Sequence, residues 1–309
     1  MSALRAGGRR MREQYEMAEQ LASQAPETRL SALDAAVQRV SEISTLPQIA
    51  LNVIEVAQNP DAGAAELRDV VEGDPALSAR VIRVVNSAAY GLRTTVSNLH
   101  QAISYLGFTQ VRNLAMTASV SDIFKNDHAI GPYSRRNLWR HLVAVGICAR
   151  LVARRCRLPN FEDAFLAGLL HDVGIILIDQ NFHDDFELVI GNLDDSRTLC
   201  DVERECLGFD HCTFGERVAE GWRFPEPVRA AIRHHHASGR YKGPSTILVQ
   251  CVEVANVVCS LRGITSTGVR CVKPALETFQ WLGFSKEDVI VLAKDLEKEM
   301  IESESLFEL

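Results

Sequence analysis

Aromatic residues are scarce, at 6%, and the 8 cysteines never fall at CxxC spacing. The missing pair excludes a zinc ribbon and a thioredoxin-type redox motif. Cysteines scattered through apolar helical patterns behave as small hydrophobes, and such usage points to a reducing compartment, the cytoplasm. No apolar run approaches the roughly 18 residues of a transmembrane helix, so no membrane association is expected. The opening MSALRAGGRRMREQ is basic but lacks the apolar segment of a signal peptide. Basic charge is not in surplus either: 33 Lys+Arg against 40 Asp+Glu leave a net charge of −7. That balance disfavours nucleic acid and anionic membrane, since both demand excess Lys and Arg. Turn dipeptides at hairpin spacing are absent, and with them the usual signature of a β-rich fold.

What abounds is the 3.6-residue period. In 138–156, Leu142, Val145, Ala149, Val152 and Cys156 recur at helical steps, with Arg150, Arg154 and Arg155 on other faces. Similar stripes run through 48–58, 76–85, 100–118, 163–170, 213–222, 226–235 and 246–261. The pattern predicts an all-α fold. A chain of 309 residues, 47% of them hydrophobic, can form two packed helical units. Residues 1–30 are polar, carry Gly7-Gly8 and read as an N-terminal arm, with a candidate helix from Met11 to Ser23. A first unit then spans 31–125. The breaker-rich stretch Asn126-Asp127-His128-Ala129-Ile130-Gly131-Pro132 marks the boundary, and the second unit spans 126–309. Within it, Asp184 to Asp195 reads as an acidic, exposed connection and 239–244 as a loop.

The placement of the 9 histidines is the most informative feature. His100, His128 and His183 lie in polar or loop contexts. The other six are His141, His171 (followed by Asp172), His211, and the run His234-His235-His236. Neutral imidazoles with a carboxylate are what a borderline transition metal needs, and helices can aim such residues inward together. His171-Asp172 follows the apolar Leu166-Ala167-Gly168-Leu169-Leu170, so a charged Asp172 there requires a cationic partner. Val173-Gly174 come next, and Gly174 suits a helix end. Singly, each piece also has a plain structural reading. His141 fits a core or surface histidine, His211 a cap on a helix beginning at Thr213, and the run 234–236 a solvated helix end. Taken together, their order favours one metal site. His234 is expected outside it, because three successive helical residues cannot face one pocket.

This order, one His, an His-Asp doublet, then further His, resembles the HD superfamily of metal-dependent phosphohydrolases. More closely, the chain from about Ile43 is similar to the HDOD family (HD-related output domain) of bacterial signalling proteins. The resemblance is carried by Leu46-Pro47, Glu72-Gly73-Asp74-Pro75-Ala76-Leu77, Asn86-Ser87-Ala88-Ala89-Tyr90-Gly91, Ala102-Ile103-Ser104-Tyr105-Leu106-Gly107 and Arg112-Asn113-Leu114. It continues through Leu166 to Gly174, then Glu203-Arg204-Glu205-Cys206-Leu207-Gly208-Phe209-Asp210-His211 and Gly221-Trp222-Arg223-Phe224-Pro225. Two strings also have a direct physical reading. Asp74-Pro75 is a helix cap followed by a first-turn proline, and Asn86 with Tyr90 serves packing at a helix exit.

The resemblance implies an HD-type helical domain for the second unit. Similarity to the cyclic-dinucleotide phosphodiesterase branch (HD-GYP) implies metal ligands at His141, His171, Asp172, His211, His235 and His236, with Asn256 at the position of the last, normally acidic, ligand. It implies one or two divalent ions (Fe, Mn or Zn) with Asp172 between them. An amide is a neutral and weaker donor than a carboxylate. Ile175 stands where the catalytic branch usually has a basic residue, and Gly239-Arg240-Tyr241 leads to Lys242 rather than into a Gly-Tyr-Pro motif. These departures imply a signal-transduction and regulatory module, non-catalytic, with a signalling protein as partner. The alternative they leave is a metal-dependent phosphohydrolase acting on a nucleotide or cyclic dinucleotide.

Overall fold

The computed structural model describes residues 26–42, 46–59, 61–194, 196–270, 272 and 276–308. The candidate helix Met11 to Ser23 lies outside the described residues. Helix α1 (Pro26–Glu42) begins within the expected arm. It is followed by α2 (Gln48–Gln58), α3 (Ala64–Glu72), α4 (Pro75–Val85), α5 (Leu99–Leu106) and α6 (Phe108–Val120). Next come α7 (Arg135–Arg155), α8 (Phe161–Leu170), α9 (Val173–Asn181), α10 (His183–Gly191), α11 (Leu199–Leu207) and α12 (His211–Gly221). The chain closes with α13 (Glu226–His234), α14 (Thr246–Leu261), α15 (Leu276–Trp281), α16 (Lys286–Glu302) and α17 (Glu304–Phe307). The fold is all-α: among the described residues the only sheet pairs β1 (Ala129–Ile130) with β2 (Tyr133–Ser134), antiparallel.

Local chemistry explains where these helices begin and break. Asp74 caps α4 by accepting from the amides of Ala76 and Leu77 at 2.9 and 3.0 Å, and Pro75 fills the first helical position. Asn86 secures the exit of α4: its Nδ2 donates to the carbonyls of Ile82 and Val96, and its Oδ1 accepts from the Val96 amide. The stripe 100–118 is two helices rather than one, interrupted at Gly107, where φ is +85°. The acidic stretch after Phe182 is also helical. Asp184 and Asp185 occupy the first turn of α10, where negative charge favours the helix dipole, while Phe186, Val189 and Ile190 are buried. Acidic composition hid that apolar stripe.

The core of the second half is α7, packed lengthwise on α8 and α14. Two glycines let α7 and α8 approach closely: a Cβ on Gly168 would lie 2.8 Å from the Val145 carbonyl, and one on Gly146 would lie 2.9 Å from that of Phe165. Helix α6 packs on the outer side of α8. There Arg112 reaches Asp163 at 2.8 Å and Asn113 donates to the Glu162 carbonyl at 2.8 Å. Helix α1 lies against α12 and α9.

The hairpin segment before α7 is anchored by a buried charge cluster. The Asp179 side chain, fully buried at the far end of α9, accepts from Arg135 Nε at 2.6 Å and Nη2 at 3.2 Å, and from the Tyr133 hydroxyl at 2.9 Å. Burial works against the Asp179 carboxylate, yet Arg135, Tyr133 and His183 hold it below the ordinary value of 3.8. Asp179→Ala should cost about 3–5 kcal/mol in urea unfolding, because it leaves Arg135 partly buried and unpaired. A carboxylate with a lowered folded value stabilises the fold above its unfolded value and loses that contribution as pH falls through the folded one. The wild-type advantage over Asp179→Ala should therefore be intact at neutral pH and shrink only below about pH 3.8 in acid titrations followed by circular dichroism.

Candidate metal centre

Four elements bring the six imidazole and carboxylate residues together. His141 projects from the second turn of α7. His171 and Asp172 form the corner between α8 and α9. His211 is the first residue of α12, and His235 and His236 follow the end of α13. His141, His171, Asp172, His211 and His235 are exposed by no more than 1%, whereas His236 remains exposed.

The two oxygens of Asp172 face different pairs of imidazoles. Oδ2 lies 3.6 Å from His141 Nε2 and 3.3 Å from His171 Nε2. Oδ1 lies 3.2 Å from His211 Nε2 and 3.1 Å from His235 Nε2. His236 lies beside them, its ring tilted 52° to that of His235 with centroids 4.1 Å apart and edge-on to that of His211 at 5.3 Å. Two sets of donor atoms result, His141–His171–Asp172 and Asp172–His211–His235–His236, each lying mutually within 4.8 Å and sharing only Asp172.

The opposite edges of the rings fix the tautomers. Nδ1 of His141 is 2.9 Å from the Ile264 carbonyl, and Nδ1 of His171 is 2.6 Å from that of Gly168. Nδ1 of His211 is 2.6 Å from Glu203 Oε2, and Nδ1 of His235 is 3.0 Å from the Ile232 carbonyl. A carbonyl or carboxylate can only accept, so each Nδ1 carries the hydrogen and donates. In the neutral ring each Nε2 then presents a bare lone pair toward Asp172. This is the arrangement that outer hydrogen bonds impose on metal-ligating histidines.

Such a cluster needs a cation. Burial, with His171 alongside, pushes the His141 imidazole down to about 4, and burial also lowers that of His171. Both rings are therefore neutral at pH 7, with their Nε2 atoms 3.3 Å apart and no hydrogen between them. Burial opposes ionisation of Asp172, but the surrounding histidines hold it well below the ordinary carboxylate range. Its Oδ1 nevertheless has no aligned hydrogen bond among the described residues. His211 differs: despite burial, the adjacent Cys212, Glu203 and Cys200 raise it well above 6.5, so a proton would sit where an ion could. The residues present fit divalent ions of the imidazole-and-carboxylate class.

Asn256 is buried on α14, and neither its Oδ1 nor its Nδ2 has a hydrogen-bond partner among the described residues. An amide so placed costs about 1–3 kcal/mol unless something satisfies it. The only carboxylate on α14, Glu253, is engaged elsewhere, accepting from Ser238 Oγ at 2.5 Å and Thr278 Oγ1 at 2.6 Å. Ile175 is fully buried in the core and faces no solvent. His234 stands apart from both donor sets, stacked on Tyr241 with centroids 5.4 Å apart.

Three local expectations change. Gly174 does not stop a helix; it is the second residue of α9, and it permits a close approach. A Cβ there would lie 2.1 Å from the His211 carbonyl oxygen, so only glycine brings the His-Asp corner against the start of α12. The cap of α12 is Asp210, which accepts from the Thr213 amide at 2.8 Å, so His211 is left free to point inward. Glu203 and the pair Cys200 and Cys212 were not anticipated beside His211. The signals were faint: an acid set between the apolar Val202 and Cys206, and a cysteine directly after a candidate ligand.

A cavity of about 340 Å³ opens on the outer side. Cys200, Cys212 and His236 form its floor, and Arg204, Arg233 and Arg240 stand on its walls. Arg204 is paired with Asp201 and Asp210.

With this geometry in view, the HDOD domain family model matches residues 43–238. The chain belongs to the HDOD domain family. An HDOD domain protein of unknown function from Geobacter sulfurreducens is 26% identical, with a TM-score of 0.73 over 92% of this chain and 98% of its own. A candidate signal transduction protein from Marinobacter aquaeolei VT8 is 25% identical, with a TM-score of 0.71 over 92% of this chain and 65% of its own. An uncharacterized protein of Treponema pallidum (strain Nichols) is 23% identical over 222 residues, which make up 71% of this chain. The chain spans 42% of the length of that relative. Among the described residues, no helix is long and apolar enough to cross a membrane.

Two substitutions test the construction of this HDOD site. Glu203→Ala should weaken divalent-ion binding about 10–100-fold in calorimetric titration, because His211 loses the partner that orients it. Gly174→Ala should lower the thermal midpoint, with at least the roughly 1–3 kcal/mol of an overpacked core, and should weaken ion binding in parallel.

Proposed function

We propose that this chain is a non-catalytic HDOD signal-transduction and regulatory module. In this reading His141, His171, Asp172, His211, His235 and His236, with Asn256 as the last ligand, hold one or two divalent ions (Fe, Mn or Zn) as a structural or sensing element. A signalling protein is the partner, bound through the helical surfaces. One observation carries the reading: five of the six converging residues are sealed from solvent, which leaves a substrate no direct access to them. When bound, a divalent ion would supply positive charge beside Asp172 in place of the His211 proton. The protein residues orient it through the carbonyls of Ile264, Gly168 and Ile232 and through Glu203.

A phosphohydrolase acting on a nucleotide or cyclic dinucleotide is the second reading, and the outer cavity favours it. Arg233 and Arg240 are exposed there beside His236 and form no ion pair among the described residues, as a phosphate-binding wall requires. Against it, no carboxylate from α14 joins the centre, and the buried Ile175 offers nothing to a substrate. Electrostatic stabilisation of a transferring phosphoryl group is worth about 3–4 kcal/mol per lost contact, and each 1.36 kcal/mol is tenfold in rate.

Protein purified without chelator or polyhistidine tag should contain one or two divalent ions per chain by elemental analysis. It should show no robust turnover of bis(p-nitrophenyl) phosphate or cyclic dinucleotides when supplied with Mn²⁺ or Fe²⁺. Asp172→Ala should abolish Mn²⁺ and Fe²⁺ binding by the two donor sets that share Asp172 and leave the helical content of the first half intact. Metal-dependent turnover in the wild type, abolished by Asp172→Ala, would make the hydrolase the correct reading.

A further inference from the structure

The outer end of the centre holds donors that the histidine–aspartate set leaves unused. Cys200, near the start of α11, and Cys212, the second residue of α12, flank His211 and are buried at 8% and 4% exposure. Their Sγ atoms are 3.8 Å apart, well beyond the roughly 2.05 Å of a disulfide. Cys212 Sγ lies 3.3 Å from His211 Nε2, and Cys200 Sγ lies 3.9 Å from His211 Nδ1. Donor atoms of Cys200, His211, Cys212 and His236 all lie within 4.8 Å of one another. A tetrahedral zinc ion has bonds of about 2.3 Å to sulfur and about 2.0–2.1 Å to nitrogen. It therefore spaces two sulfur ligands by roughly 3.8 Å, and sulfur from nitrogen by roughly 3.5 Å. The 3.8 Å between the two sulfurs matches the first edge, the 3.3 Å from Cys212 Sγ to His211 Nε2 lies close to the second, and the whole set falls within 4.8 Å.

We propose that Cys200, His211, Cys212 and His236 form a thiolate-bearing metal position that selects zinc. This goes beyond the regulatory reading and does not rest on it, because none of the four residues is Asp172, His141 or His171. His211 and His236 serve both donor sets, so one ion occupies this end of the centre at a time. Harder ions such as Mn²⁺ and Fe²⁺ take the carboxylate-and-imidazole set, and zinc takes the set with sulfur. Two thiolates cancel the charge of a divalent ion, which a largely buried position demands. The outer cavity, floored by Cys200, Cys212 and His236, is the entry path.

Titration of the reduced, metal-free full chain with Co²⁺ tests the assignment. A thiolate-to-cobalt charge-transfer band should appear in the near-ultraviolet, saturate with one ion, and be bleached by Zn²⁺. The band should persist in Asp172→Ala and His171→Ala and be lost in the double variant Cys200→Ser with Cys212→Ser. Persistence in Asp172→Ala keeps this result independent of any outcome of the hydrolase assay. Absence of the band in the wild type, or its survival in the double variant, would overturn the proposal. A wild-type measurement guards against misfolding of the variant. Zn²⁺ should abolish alkylation of Cys200 and Cys212, mapped by mass spectrometry, while leaving the half-buried Cys156 reactive. Equal labelling of the pair with and without Zn²⁺ would overturn it too.

Discussion

The carboxylate of Asp172 sits in the protein interior at 1% exposure, and the architecture around it is organised by the cost of leaving it there. An uncompensated buried charge destabilises a fold by several kcal/mol, and neutral hydrogen bonds alone rarely offset it. Here His141 and His171 already donate from their far edges, so what these two neutral rings turn toward Asp172 is lone pairs. The neutral His141 and His171 make that end attractive to a metal ion and not to a proton. At the other end, Cys212, Glu203 and Cys200 raise the basicity of His211, which allows a proton to take the place of an ion. The centre is thus asymmetric although one residue bridges both halves.

Much of this was legible in the residue order, and the reason is chemical. Few side chains bind transition metals, so His141, His171, Asp172, His211, His235 and His236 stand out against an apolar background, and the structure gathers them. The apolar period likewise exposed α2, α4, α7 and α14. What was hidden depends on neighbours far away in the chain. Cys200 and Cys212 read as small hydrophobes until α11 and α12 meet around His211. Glu203 shows its role beside His211 only once its helix face turns inward. Gly174 reads as a stop because the close approach it permits involves His211, 37 positions later (211 − 174). Helix α10 was masked by the acids of its first turn, whose polarity outweighs a short apolar stripe.

Among the described residues the first half of the chain contributes no donor to the centre, yet it bears on the helices that do. Arg112 and Asn113 fasten α6 to the start of α8, the helix that ends at His171. Helix α1 rests on α12, the helix that begins at His211, with Asp34 reaching Arg217 at 3.1 Å. A partner that rearranged either helix would act on the supports of the ligands and not on the ligands themselves.

The Arg135–Asp179 pair closes a four-sided frame. One side is α7 from Arg135 to His141, six residues or roughly 9 Å; the opposite side runs from Asp172 to Asp179, seven residues or roughly 10 Å, almost wholly along α9. At one end the sides are joined by the bidentate ion pair, and at the other by the 3.6 Å approach of His141 to Asp172. Helical sides neither stretch nor shear easily, so the two corners are mechanically conjugate. The approach of His141 to Asp172 is braced by a salt bridge some two turns of helix away, and slack in that brace would appear as a looser approach where nothing had been altered.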